Sequence, residues 1–243
     1  MQKAGGGGVV VEDLYTLENA RKFKWSSMVE QLNPERVALL ESNLTGANVL
    51  DVGCCGGGYV RFLKARGLQA TGVDLHQVYL DFAKERDPGG TYIQADITKL
   101  PVPDKLFDCT ICFDILEHVT DDHAAVMELA RVTRKRIIIT VPRENEEIGQ
   151  YNLTFLHYQD KTHLRNYTRE SLAGLLKGCG LTDYTLGNEL AVPFGDLFKA
   201  MIISGKSSSG LIGLAKKYVP GFKSANRVKF KKIYTGLTAV IDL

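Results

Sequence analysis

Between residues 48 and 180, short apolar runs alternate with longer mixed stretches. The runs Asn48–Val52, Ala70–Val73, Tyr92–Ala95, Phe107–Phe113 and Arg136–Val141 are nearly continuous in apolar residues. That pattern predicts strands covered on both faces, as in a parallel sheet. The stretches Gly58–Arg66, Gln77–Glu85 and Asp122–Val132 read as helices, the last preceded by the N-cap candidates Thr120 and Asp121. A further helix, Arg169–Lys177, follows Thr168 and runs into Gly178 and Gly180, which suit a C-cap. Strands joined by crossover helices imply parallel pairing with right-handed connections.

Near its end the chain departs from this rhythm. Thr182–Leu190 and Ile233–Ile241 both read as strands, with no single clean helix between them. The expected fold is α/β: a seven-stranded, doubly wound (Rossmann-like) sheet whose last strand is antiparallel. The expected divisions are a flexible leader (1–11), an N-terminal helical cap (12–46), a core (47–192), a basic helical insertion (193–232) and the last strand (233–243). Tyr15, Phe23 and Trp25 fall on the cap, either covering a ligand or simply packing.

Composition changes the picture little: 44% hydrophobic, 24% charged and a formal net charge of +2 describe an ordinary globular chain. Charge distribution changes it more. Nine basic residues and no acidic one lie between Leu197 and Ile241, which leaves −7 for the rest. Leu211, Leu214, Ala215 and Tyr218 follow helical spacing with Lys216 and Lys217 turned away, and Leu197–Ile203 is more apolar still. Such an element suits an anionic membrane surface or a phosphate-bearing substrate; it also suits a lid with a solvated basic face. Of the five cysteines, Cys109 and Cys112 make a C-x-x-C inside a strand, where they point to opposite faces and read as small buried hydrophobes. The first residues have no apolar signal core, and no stretch nears the roughly 20 apolar residues of a membrane span. The expected location is cytoplasmic, with a peripheral contact to the inner face of a membrane if the basic insertion binds lipid.

Candidate chemistry concentrates where the first strand ends. VLDVGCCGGG, Val49–Gly58, places Asp51 at the end of a strand, before a glycine-rich turn that opens a helix. Glycines there let backbone pass close to a ligand, and the helix start offers free N–H groups. The dinucleotide pattern G-x-G-x-x-G fails at Cys55, and no Gly-Lys-Ser/Thr follows to make a phosphate loop. A carboxylate at Asp51 sits badly beside a pyrophosphate and well beside an ammonium group. Asp74 in GVDL and Asp96 in QADI end the next two strands, placed to accept from ribose hydroxyls and from an adenine amino group.

VLDVGCCGGG, GVDL, QADITKLP and FDILEHV, in this order, resemble the class I S-adenosylmethionine-dependent methyltransferases, in particular the ubiquinone-type and small-molecule branch. The resemblance spans about Val49 to Leu181. It implies S-adenosylmethionine as cofactor, with Asp51 and Gly53 at the methionine end, Asp74 at the ribose, Asp96 and Ile97 at the adenine, and Phe113 along the donor. Cys55, Gly57 and Leu75 complete the expected cofactor contacts. Cys55 stands where the family usually has glycine.

Two groups could serve the acceptor. Asp114, Glu117 and His118 share one face if their segment is helical, and FLHYQDKTHLRNYT carries His157 and His163. With a later histidine, the first group resembles the metal-binding pattern of small-RNA 2′-O-methyltransferases and some ubiquinone-type enzymes, which implies Mg²⁺ or Mn²⁺. The metal-free alternative makes His118 or His163 the general base, and a hydrogen-bonded structural role stays open for each. Asp160–Thr168, with Tyr151, His157 and Tyr158, is the expected acceptor lip. The expected reaction is methyl transfer to a small-molecule, glycan or lipid-linked acceptor, at oxygen rather than nitrogen. With no Asn/Asp-Pro-Pro-aromatic motif after the fourth strand, nucleic-acid bases are disfavoured as acceptors. Two alternatives stay open: a nicotinamide-dependent oxidoreductase, and a non-catalytic, membrane-associated regulator that binds S-adenosylmethionine.

Overall fold

The computed structural model describes residues 32–144, 162–193 and 232–243, two short strands outside these ranges, and Thr16 and Glu18 singly. Seven strands form one sheet: β1 (Asn48–Val52), β2 (Gln69–Asp74), β3 (Thr91–Gln94), β4 (Phe107–Phe113), β5 (Thr133–Pro142), β7 (Tyr184–Pro193) and β9 (Lys232–Asp242). Their spatial order is β3-β2-β1-β4-β5-β9-β7. β1, β2, β3, β4 and β5 pair in parallel, whereas β9 runs antiparallel to both of its neighbours, so it alone is reversed. The expected sheet and its expected reversal are both present.

Helices cover both faces. α1 (Pro34–Asn43), α2 (Gly58–Lys64) and α3 (Gln77–Arg86) contribute Leu40, Leu63 and Leu80 to one core, which includes Cys109, Ile111 and Ile138 from the sheet. α4 (Asp122–Val132) and α5 (Arg169–Gly178) contribute Leu129, Leu172 and Leu176 to the other, which takes Cys112, Ile137 and Ile139. Successive residues of one strand therefore enter opposite cores, which is why β5 must be apolar at every position there. Cys109 and Cys112 lie in different cores, as their spacing implied. The two edge strands are exceptions to burial on both faces: β3 leaves Thr91 and Gln94 exposed, and β7 leaves Thr185 and Asn188 exposed.

The sequence signals for helix ends correspond to real caps. Asp121 accepts from the Ala124 amide at 2.8 Å, and Thr168 and Ser171 make a reciprocal capping box. Gly180, at φ +75°, takes the left-handed conformation that stops α5. In the cap region, Asn33 caps α1 through the Glu35 amide at 2.9 Å. Tyr15, Phe23 and Trp25 lie outside the described residues.

One expectation needs correction. Met201–Ile203, assigned to the helical insertion, is a strand, β8, paired antiparallel with β6 (Leu153–Phe155). A four-residue apolar run satisfies helix and strand periodicity equally, and the β-branched Ile202 and Ile203 favour the strand. The remainder of the insertion, including Leu211, Tyr218 and most of its lysines, lies outside the described residues.

Because both faces of β5 are covered, Ile138→Ala and Ile139→Ala should each cost about 3 kcal/mol in denaturant unfolding. A loss at only one of the two sites would mean that one face of the sheet is wet.

Candidate active site

The carboxyl ends of β1, β2 and β4 converge on one edge. β1 delivers Asp51, whose pairing with β4 sets it opposite Ile111. Asp51 is buried, and among the described residues its Oδ2 has no hydrogen-bond partner. Burial, reinforced by the charge of Asp74, pushes its carboxyl from 3.8 up to about 8.

The turn after β1 is tied to β2: the Gly53 and Cys54 amides donate to the Val73 carbonyl at 2.8 and 2.9 Å. Gly53 has φ +75°, and a Cβ there would overlap the Ile115 methyl. Cys55 takes the left-handed conformation that glycine adopts readily, at φ +47°, and its amide donates to Asp74 Oδ2 at 2.9 Å. A residue with a Cβ holds this conformation at a strain cost on the order of 1 kcal/mol. Gly57, at φ +70°, is needed for packing, since a Cβ would lie 2.6 Å from the Tyr92 hydroxyl.

Asp74 is held from two sides, its other oxygen accepting from the His76 amide at 2.9 Å. Beside it, Leu75 is 57% exposed, an apolar surface at the mouth of the edge. Asp96 is exposed and accepts from the Thr98 amide and hydroxyl, both at 2.8 Å, while Ile97 is buried beside it. The loop that carries them is pinned by Arg131, which donates to the Leu100 and Val102 carbonyls at 3.0 and 2.9 Å. Glu128 completes the clamp by accepting from the Leu100 amide at 2.6 Å.

Past β4, the chain does not form the continuous helix that would align Asp114 with Glu117 and His118. Asp114 takes φ +54°, and only Leu116–His118 form a 3₁₀ turn. Asp114 therefore stands apart from a second group, Glu117, His118 and His163, whose candidate ligand atoms lie within 4.8 Å of one another. Glu117 is fully buried, and His118 Nδ1 lies 3.0 Å from the Thr162 hydroxyl. The His118 and His163 rings meet edge to face with centroids 4.7 Å apart. Arg165 makes this meeting possible by donating to the Leu116, Val119 and Thr120 carbonyls, while the Leu164 amide donates to the Glu117 carbonyl at 2.8 Å. Thr162–Thr168 is thus a strap across the turn after β4. Tyr151, His157, Tyr158 and Asp160 lie outside the described residues.

Sequence reasoning missed a third group. Arg36, on α1, donates to Asp114 Oδ2 at 2.6 Å and to Glu189 Oε1 at 2.8 Å, with its Nε 3.3 Å from Glu189 Oε2. Its guanidinium also lies 5.4 Å from the Phe113 ring centroid, and that ring meets Tyr59 edge to face at 5.2 Å. Burial pushes the Glu189 carboxyl up to about 7 against the pull of Arg36. These partners are 153 residues apart, and an isolated arginine on a short helix carries no periodic or motif signal.

Residues 50–139 match the family described as methyltransferase domain. The chain is 37% identical over 102 residues to the malonyl-[acyl-carrier protein] O-methyltransferase of Serratia marcescens, covering 41% of this chain and 39% of that protein. It is 33% identical over 114 residues to the ubiquinone biosynthesis O-methyltransferase of Alkalilimnicola ehrlichii, covering 44% and 46%. The chain thus spans under half the length of these two relatives. A crystal structure of a SAM dependent methyltransferase from Archaeoglobus fulgidus superposes with a TM-score of 0.65 at 19% identity, over 94% of this chain and 100% of that one, a likeness of fold. Residues 50–139 carry a class I S-adenosylmethionine-dependent methyltransferase domain, within a sheet of the same fold. The nicotinamide-dependent alternative gives way to it.

Asp51 fits that cofactor: a buried carboxyl without a partner for one oxygen is what a ligand ammonium group requires. The pH dependence follows. Without ligand, the folded chain keeps a proton on Asp51 that the unfolded chain loses near pH 4, so stability falls as pH rises from about 4 to about 8. An ammonium group favours the ionised form, so binding releases that proton. Affinity for S-adenosylmethionine should rise at least about threefold from pH 5.5 to 7, below the range where the ligand's amine titrates. Calorimetry in buffers of different ionisation enthalpy measures both effects. Asp51→Asn should weaken binding and abolish the proton release; release that persists in the variant would contradict the assignment.

Proposed function

We propose that the chain transfers a methyl group from S-adenosylmethionine to an oxygen atom of a small-molecule, glycan or lipid-linked acceptor. The observation that carries the choice of oxygen is the buried Glu117 beside the His118–His163 pair at the edge of the sheet. When bound, the cofactor supplies an electrophilic methyl group on a sulfonium, open to in-line displacement. Asp51 and Asp74 hold the amino-acid and ribose ends, with Asp96 and Ile97 around the adenine. Both nitrogens of His118 face protein groups, Thr162 on one side and Glu117 Oε1, at 3.9 Å, on the other. His118 therefore orients the pair, and His163 takes the proton from the acceptor hydroxyl. The O-methyltransferase names of the two curated relatives support the same choice. A lipid-linked acceptor and a peripheral membrane contact rest on the basic charge between Leu197 and Ile241.

A second reading is favoured by the same cluster. One carboxylate and two imidazoles within 4.8 Å of one another could hold a divalent cation, and two nitrogen donors suit Mn²⁺ better than Mg²⁺. Asp114 takes no part in that set.

The test uses methyl-labelled S-adenosylmethionine, the full chain and an extract of its source cells, with products partitioned between butanol and water. Label should enter a product, should vanish in Asp74→Ala, and should fall about 100-fold in His163→Ala while surviving EDTA. Transfer undiminished in both His118→Ala and His163→Ala would remove the base. Loss with EDTA that Mn²⁺ restores would install the metal. Donor binding without transfer would leave the regulator.

A further inference from the structure

Asp114 has three features that the methyl-transfer reading does not use. It takes φ +54°, a conformation costly for a residue with a Cβ. It is fixed at both oxygens, by the Thr140 hydroxyl at 3.2 Å and by Arg36 at 2.6 Å. Its side chain is nevertheless 42% exposed, while those of Arg36 and Glu189 are 8% and 4% exposed.

Position gives these features a direction. Val52 pairs with Cys112, so Phe113 and Asp114 run beyond the paired ends of β1 and β4, alongside the donor turn. The next residue, Ile115, fills the space where Gly53 would carry a side chain. Asp114 thus stands beside the methionine end of the donor. The cluster's charges are also unequal: one guanidinium serves two carboxylates. Arg36 already meets Glu189 through two nitrogens in a buried pair that needs no third member. Asp114 is the exposed member, so the cluster meets the site through this carboxylate.

We propose that Asp114 is the carboxylate facing the sulfonium and the methyl it transfers, and that Arg36, locked by Glu189, is a positioning residue that holds this carboxylate and tempers its charge. The inference rests on the donor site described above. S-adenosylmethionine carries a positive charge at sulfur, and the product S-adenosylhomocysteine does not. A carboxylate at that point favours the charged donor over the spent one, and a guanidinium behind it moderates the preference so that transfer is not opposed. α1 thereby belongs to the active site.

Calorimetry on the full chain, with S-adenosylmethionine and S-adenosylhomocysteine as separate probes at one salt concentration, tests this through the ratio of the two Kd values. Asp114→Asn should shift the ratio about fivefold against S-adenosylmethionine, the scale of one charge contact in a wet site. The double variant Arg36→Met/Glu189→Met removes both buried charges together, avoiding an unpaired buried carboxylate, and should shift the ratio about fivefold the other way. Asp114→Asn is nearly isosteric on an exposed side chain, so it carries the test alone if the double variant fails to fold. A wild-type ratio in a folded Asp114→Asn variant overturns the inference and leaves the donor site standing. A wild-type chain that binds neither probe overturns the donor site and the inference together.

Discussion

At the centre of the sheet edge, a carboxyl group is held out of water with one oxygen lacking a partner. An isolated buried charge is too costly to persist, so Asp51 keeps its proton well above the ordinary carboxylate range until something cationic arrives. Much of the surrounding architecture can be understood from that requirement. The parallel pairing of β1 with β2 and β4 sets Asp51 under a turn whose amides are spent on Val73 and Asp74. The residue is kept in an unfavourable state by neighbours that gain their own stability elsewhere.

Around that centre, arginines connect elements that the sheet alone would leave loose. Arg131 grips the carbonyls of the loop after β3, Arg165 those of the turn after β4, and Arg36 ties α1 to the end of β4 and the middle of β7. The planar guanidinium suits this work because it reaches several carbonyl or carboxylate oxygens from one fixed fork. Each strut secures a different part of the edge: the loop after β3, the histidine pair and Asp114. The geometry of the candidate site is therefore set as much by arginine contacts across the chain as by the strands that carry the motifs.

Those struts also mark the limit of what could be read from the sequence. The strands of the sheet, the reversal of β9 and the caps of α4 and α5 follow from local patterns, in which periodicity and capping chemistry act over a few residues. The placement of Asp51, Asp74 and Asp96 at the carboxyl edge was legible for the same reason, since each lies at or just past the end of a strand of a regular βα unit. Asp114 was not, because its grouping with Glu117 and His118 presumed a helix where a positive φ and a single 3₁₀ turn intervene. The approach of His163 to His118 was suggested by neither spacing nor periodicity; it depends on Arg165 meeting carbonyls 45 to 49 residues away. The strand at Met201–Ile203 was misassigned because a short apolar run has no period of its own.

The claim on which the rest stands is that Asp51 waits for the donor's ammonium group. It can be tested by pairing a change in the protein with a truncation of the ligand. The dissociation constants of S-adenosylhomocysteine and of 5′-methylthioadenosine, which lacks the amino-acid portion, would be measured by calorimetry on the wild-type chain and on Asp51→Asn. The account predicts that the variant loses about tenfold or more in affinity for S-adenosylhomocysteine and nothing for 5′-methylthioadenosine. An equal loss for both ligands, or none for either, would show that Asp51 shapes the turn or the core and does not hold the ammonium group.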